Sequence, residues 1–394
     1  MHAHLPAPDP DALRHSDALA AHIRAEIARA GGGIPFSRFM ELCLYAPGLG
    51  YYSAGSTKFG QGGDFVTAPE SGRLFAATVA GALAGVLRQL GPQARVLELG
   101  GGSGAFAEVA LKRLLQLDAL PDRYAILEPS ADLRQRQREH LQRMLIPPVF
   151  ALVEWLDRPF EDAWDGVLFA NEVIDALPTP RLAVRQGEVL EEHVALDGHG
   201  AFVRVDRPAD ALLRAAVRHV EQYLEAPLPD GYRSELLPQL PYWLQAVAGG
   251  LGAGAMLFFD YGYPRREYYL PQRADGTLRA FYRQRMHDDV LRWPGLQDIT
   301  ASVDFTALAE AGTGAGFELA GYCSQASFLL GNGVDGLLEQ ALARTDEAGA
   351  LRLRQELKRL TLPEQMGERF QAMAFSRDVD LDAMFLLGDL TWRL

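Results

Sequence analysis

The arrangement of apolar and polar positions changes near Arg73. Beyond it, short apolar runs alternate with stretches of 3.6-residue period. Leu74 to Leu90 reads as an amphipathic helix closed by Gly91-Pro92, and Arg95 to Leu99 as a strand. A glycine turn at 100–104 opens a helix that carries Phe106, Val109, Ala110, Leu114 and Leu117 on one face. Tyr124 to Glu128, Val149 to Val153, Gly166 to Ala170 and Met256 to Asp260 read as further strands, with a helix over Leu133 to Leu145. Apolar strands without alternation, separated by helices, predict a parallel sheet covered on both faces. The fold class expected is α/β, with a mostly parallel, doubly wound core.

Other segments break this rhythm. Asp11 to Arg29 reads as a helix stopped by Gly31-Gly32-Gly33, and Ile34 to Glu70 as an irregular segment dense in Gly, Tyr and Phe. Arg181 to Val205 alternates like a hairpin turning at Gln186-Gly187. Tyr261 to Asp304 reads as a long ordered loop at the carboxyl edge of the sheet, and Gly331 to Leu394 as mostly helical. The organisation predicted is an N-terminal extension over 1–72, a core over 73–330 and a helical C-terminal region over 331–394. Insertions interrupt the core at about 181–250 and 261–304.

Charge and cysteine content narrow the function classes. The chain has 394 residues and a formal net charge of −13, which disfavours a nucleic-acid or anionic-membrane surface. Two distant cysteines, Cys43 and Cys323, make neither a disulfide framework nor a metal knuckle. The longest quiet stretch, Leu74 to Leu87, falls short of the roughly 18–20 residues needed to span a bilayer. The first 13 residues hold no Lys or Arg, unlike a signal or transit peptide, and a cytoplasmic protein is expected.

The chemistry concentrates at Glu98-Leu99-Gly100-Gly101-Gly102-Ser103-Gly104, between a strand and a helix. Gly100, Gly102 and Gly104 permit a sharp turn and close approach of backbone to ligand. The spacing fits the turn of S-adenosylmethionine enzymes and also the dinucleotide fingerprint. Charge favours the former: Glu98 would repel a pyrophosphate but attract the ammonium of a methionyl group. Glu128, at the end of the next strand, suits both ribose hydroxyls in either family. Glu98, Glu128, Asn171-Glu172 and Asp260 set acidic groups at four strand ends, where open sheets bind ligands. A plain structural turn with surface acids stays as the alternative.

Three blocks then resemble a known family: Gly63-Asp64-Phe65-Val66-Thr67-Ala68-Pro69-Glu70, the turn, and Asn171-Glu172-Val173-Ile174-Asp175-Ala176-Leu177-Pro178. With Asp260-Tyr261-Gly262, the run Phe281 to Phe305 and Met366-Gly367-Glu368, they resemble the MidA-like class I methyltransferases, in order from about Gly33 to about Phe370. The resemblance implies a Rossmann-like methyltransferase core, S-adenosyl-L-methionine as methyl donor and a protein arginine as acceptor, on a respiratory complex I subunit in the mitochondrial members. Those members usually show proline and arginine where this chain has Gly101 and Ser103. Thr67 and Glu70 are expected over the cofactor, Leu156 near its adenine and Asn171 beside it. Glu172 and Asp175 are the candidate clamp for a guanidinium, whose delocalised charge makes it a poor nucleophile. His287 is the candidate proton acceptor, with Phe281 and Tyr282 as walls of the acceptor channel. A catalytically weak assembly chaperone and a small-molecule methyltransferase stay open as alternatives.

Overall fold

A computed structural model describes residues 5–53 and 72–394. The segment 63–70, with Thr67 and Glu70, lies outside the described residues. The chain divides into two compact units. One comprises Val66–Val173, Leu240–Gly262 and Phe305–Leu394; the other comprises Met1–Phe65, Ile174–Gln239 and Tyr263–Asp304.

The first unit is built on a sheet whose strands run, edge to edge, Glu318–Ser324, Phe370–Arg377, Leu251–Tyr263, Trp164–Asn171, Arg95–Leu99, Arg123–Leu127 and Val153–Leu156. In chain order this is 6-7-5-4-1-2-3. The five strands from Leu251–Tyr263 to Val153–Leu156 are parallel, and Phe370–Arg377 runs antiparallel to both of its neighbours. The order reverses between Arg95–Leu99 and Trp164–Asn171, the switch point beyond whose carboxyl ends such sheets take ligands. Their apolar residues are buried on both faces, which explains the absence of alternation in the sequence.

Helices Leu74–Leu90 and Ala105–Gln116 cover one face. The first is rich in alanine and glycine, which lets the backbones come close around Phe75, Phe106, Phe169 and Phe259. Phe106 stacks on Phe169 with centroids 4.0 Å apart, and Phe75 meets Phe259 edge-on at 5.0 Å. Gly166 and Gly254 pair across adjacent strands, where a Cβ would stand 1.9 Å from the neighbouring strand's carbonyl oxygen. Both positions therefore require glycine for packing.

The second unit is antiparallel. A sheet ordered Ile34–Pro35, Glu188–Leu196, Arg181–Arg185, Arg233–Glu235, with Phe202–Pro208 also paired to Glu188–Leu196, packs on helices Pro10–Arg29 and Phe36–Tyr45. The hairpin turns at Gln186-Gly187 as its alternation indicates. Arg181 is fully buried, and Glu192 at 3.1 Å, Glu235 at 3.0 Å and Asp275 at 2.9 Å balance its charge. A smaller sheet follows the order Arg285–His287, Arg279–Tyr282, Asp298–Thr300.

Four elements depart from the sequence reading. Phe36–Tyr45 is a helix within the stretch read as irregular, because its dense aromatics blur the period while Phe36, Phe39, Met40 and Cys43 still share the core. Val149 lies in a short helix, Pro147–Phe150, whose proline sits in the first turn, and the strand begins only at Val153. The stretch 261–304 holds the small sheet rather than a loop. Beyond its helices, the C-terminal region contributes Phe370–Arg377 to the central sheet, a run too thoroughly buried to show a helical face. Among the described residues no helix is long and apolar enough to cross a membrane.

Candidate cofactor and acceptor site

Within the first unit the turn after Arg95–Leu99 has three left-handed glycines, Gly100, Gly102 and Gly104, at φ of 65°, 53° and 85°. Gly104 starts helix Ala105–Gln116 without a side-chain cap of its own, so the helix end offers backbone N–H groups, as anion and carboxylate sites require. A Cβ at Gly101 would lie 2.8 Å from Ile126 and 3.2 Å from the Gln137 amide. Gly100 donates its N–H to the Leu127 carbonyl at 3.0 Å, tying the turn to the neighbouring strand end.

Gln137 is the residue that sequence reasoning missed. It lies on helix Ala131–Met144, between the buried Leu133 and Leu141 on the same stripe. Its Nε2 donates to the Gly102 carbonyl at 2.9 Å and to Glu128 Oε2 at 3.2 Å, while its Oε1 accepts from Trp155 Nε1 at 2.9 Å. Glu128 Oε1 accepts the Ser130 N–H at 3.0 Å. One buried amide thus holds the glycine turn and the candidate ribose carboxylate in a fixed relation. A glutamine on an otherwise apolar helical stripe is the signal that would have revealed it.

Glu98 occupies a different setting from the one read in the sequence. It is the penultimate residue of its strand, buried, and its Oε2 accepts the Tyr124 hydroxyl at 2.8 Å. Burial pushes its pKa up to about 7 against the opposing hydrogen bond from Tyr124, and Glu128 pushes it further the same way. Asp260 lies inside strand Leu251–Tyr263 and accepts the Tyr261 N–H at 2.9 Å. Leu156 ends its strand, half-buried.

Asn171 ends strand Trp164–Asn171, and its Nδ2 donates to Glu172 Oε1 at 3.1 Å. The Asn171 Oδ1 is buried and has no hydrogen-bond partner among the described residues. Glu172 adopts φ of 53°, a left-handed conformation that costs a side-chain-bearing residue about 1–3 kcal/mol, and its N–H is held by the Phe259 carbonyl at 2.8 Å. Strain of this kind concentrates at ligand sites. A glycine turn with no room for a Cβ at Gly101, an anchored carboxylate and a buried amide oxygen fit an S-adenosyl nucleoside with a cationic methionyl end.

The other sequence-predicted residues belong to the second unit. Asp175 is buried, and its carbonyl accepts the Ala301 N–H at 2.9 Å. His287 is half-buried on strand Arg285–His287, where burial holds its pKa below the ordinary imidazole value against the pull of Asp289. Among the described residues no group of three or more His, Cys, Asp and Glu could hold a metal ion.

Comparison with known proteins agrees with the cradle. Residues 78–323 match the family model of S-adenosyl-L-methionine-dependent methyltransferases. The chain belongs to this family, and its cofactor is S-adenosyl-L-methionine. A Burkholderia thailandensis protein whose crystal structure holds S-adenosyl-homocysteine is 45% identical, with TM-score 0.90 over 99% of this chain and 100% of that one. The mitochondrial protein arginine methyltransferase NDUFAF7 homolog of Drosophila melanogaster is 29% identical, covering 90% of this chain and 84% of its own length. The mitochondrial protein arginine methyltransferase NDUFAF7 of Homo sapiens is 27% identical, with 90% and 82% covered. These names overturn the cytoplasmic location read from the first residues: the curated relatives are mitochondrial proteins. The dinucleotide alternative also falls.

Two outcomes test this arrangement. Gln137→Leu removes three hydrogen bonds at near-constant volume, each worth about 1 kcal/mol. Calorimetric affinity for S-adenosylhomocysteine should fall at least about tenfold; unchanged affinity would show that the amide does not position the cradle. For Glu98, the raised pKa means that the folded chain holds the proton more tightly than the unfolded one. Its carboxyl adds no cost below pH 4.5, and the cost grows as pH rises through about 7. Denaturant titrations should therefore show Glu98→Gln losing less stability than the parent between pH 5 and 8, by up to about 3 kcal/mol. Parallel profiles would contradict the buried setting.

Proposed function

We propose that the protein transfers a methyl group from S-adenosyl-L-methionine to an arginine of a protein acceptor. The observation that carries this reading is the run of relatives named as protein arginine methyltransferases, which align along about nine-tenths of this chain. A respiratory complex I subunit is the acceptor that the family resemblance implies, and we include it in the proposal.

When bound, the cofactor supplies an electrophilic methyl on a sulfonium, taken by in-line displacement. The chain's task is to position and desolvate the partners. The backbone of the glycine turn and Glu128 hold the nucleoside, and Asn171 Oδ1 offers a buried acceptor to it. Glu172, fixed by its strained backbone and by Asn171, presents a carboxylate that draws positive charge away from the attacking guanidinium nitrogen.

Cell lysate incubated with the protein and methyl-labelled donor should yield labelled protein bands, and acid hydrolysis of them should release methylarginine. Glu172→Gln should lower that incorporation at least about a hundredfold while S-adenosylhomocysteine affinity stays within about twofold. Label found only in small molecules would replace the protein acceptor, and tight cofactor binding without any label would favour an assembly chaperone.

A further inference from the structure

The Asp298-Ile299-Thr300 strand was read in the sequence only as part of a family block, with no role for its polar residues. In the second unit it brings together an acidic and aromatic cluster. Asp298 is 5% exposed, and Tyr52 donates its hydroxyl to Asp298 Oδ1 at 2.9 Å. Tyr52 stacks on Tyr45 with centroids 5.5 Å apart, and the Tyr45 hydroxyl donates to the Ala176 carbonyl at 3.0 Å. That bond ties the aromatic pair to the residue after Asp175. The Ala301 N–H donates to the Asp175 carbonyl at 2.9 Å, which brings Asp175 to the end of this strand, and burial, with the negative field of Asp298 behind it, holds the Tyr52 hydroxyl pKa well above its ordinary value.

Strand alternation sets the direction of the other side chains. Phe281 stands opposite Asp298 in the antiparallel register, and Arg279 opposite Thr300. Asp298 and Thr300 therefore point to one face, and Ile299 to the other, with the buried core. Thr300 is 3% exposed, and its Oγ1 has no hydrogen-bond partner among the described residues. A hydroxyl buried without a partner costs free energy unless a ligand group meets it. His287 pairs with Ala280, which also faces Ile299, so it lies on the face away from Asp298 and takes no part in this cluster.

We propose that Asp298, Asp175 and Thr300, walled by Tyr52, Tyr45 and Phe281, form the pocket that takes the guanidinium of the acceptor. This deepens the arginine reading and rests on it. The chemistry is specific to that group. Two carboxylates accept several N–H donors of a planar cation, and aromatic faces receive its delocalised charge. A threonine hydroxyl accepts one further N–H. A lysine ammonium, a compact and strongly hydrated charge, uses the same walls less well.

The test uses the full chain saturated with S-adenosylhomocysteine, and N-acetyl-arginine methylamide as the probe, followed by NMR titration. The parent should bind this probe at least about tenfold more tightly than the matching lysine derivative. Asp298→Asn should weaken arginine-probe binding at least about tenfold, with S-adenosylhomocysteine affinity within about twofold of the parent. Thr300→Val guards against a variant that simply misfolds. Removing a hydroxyl that has no partner leaves the melting temperature equal or higher, yet the proposal requires probe affinity to fall about threefold or more. Parent-like probe binding in either folded variant, or no preference for arginine over lysine in the parent, overturns the pocket. The acceptor reading is judged separately: methylarginine in lysate proteins with a parent-like Asp298→Asn leaves that reading standing and removes only this pocket. Absence of methylarginine removes the reading itself.

Discussion

The close approach of bare backbone at residues 100–104 is the constraint on which the rest depends. Three consecutive alternate glycines adopt conformations that side chains resist, and the position between the first two has no room for a Cβ. Such a loop is entropically expensive. It is held by the strand before it, the helix after it and the Gln137 amide, which reaches both the Gly102 carbonyl and Glu128. The sheet order places this loop at the switch point, so strand pairing, glycine geometry and the buried amide converge on one ligand site.

Buried carboxylates recur in both units, and each is accommodated differently. Glu192 and Glu235 surround Arg181 and form a closed, structural charge balance. Glu128 is anchored by the Ser130 N–H and the Gln137 amide, which fix its direction. Glu98 accepts a tyrosine hydroxyl, and burial raises its pKa to about 7. Asp298 also takes a tyrosine hydroxyl, but in a setting of aromatic faces and an unmet threonine oxygen. The same functional group thus serves packing and, in our proposal, cofactor orientation and acceptor recognition, according to the environment each one meets.

The core was legible because buried parallel strands write their burial directly as apolar runs. Arg95–Leu99 and Leu74–Leu90 have the boundaries that periodicity indicates. The glycine turn was legible because no other residue type serves there. Phe36–Tyr45 and Phe370–Arg377 were not, since aromatic density blurs the period of one and Ala372, Met373 and Ala374 give the other the composition of a helix. Gln137 escaped because its importance lies in partners 35, 9 and 18 residues away in the chain. Thr300 and Asp298 escaped for a related reason: a small sheet assembled from distant turns decides which face they share.

The most direct measurement is a calorimetric titration of Gly102→Val with S-adenosyl-L-methionine, alongside a melting curve that shows the variant folded. A branched side chain at a left-handed position on the cradle floor leaves no path for the nucleoside to reach the backbone, so no binding heat should appear at concentrations that saturate the parent. A folded variant that titrates with the parent's affinity would place the cofactor elsewhere and contradict the account.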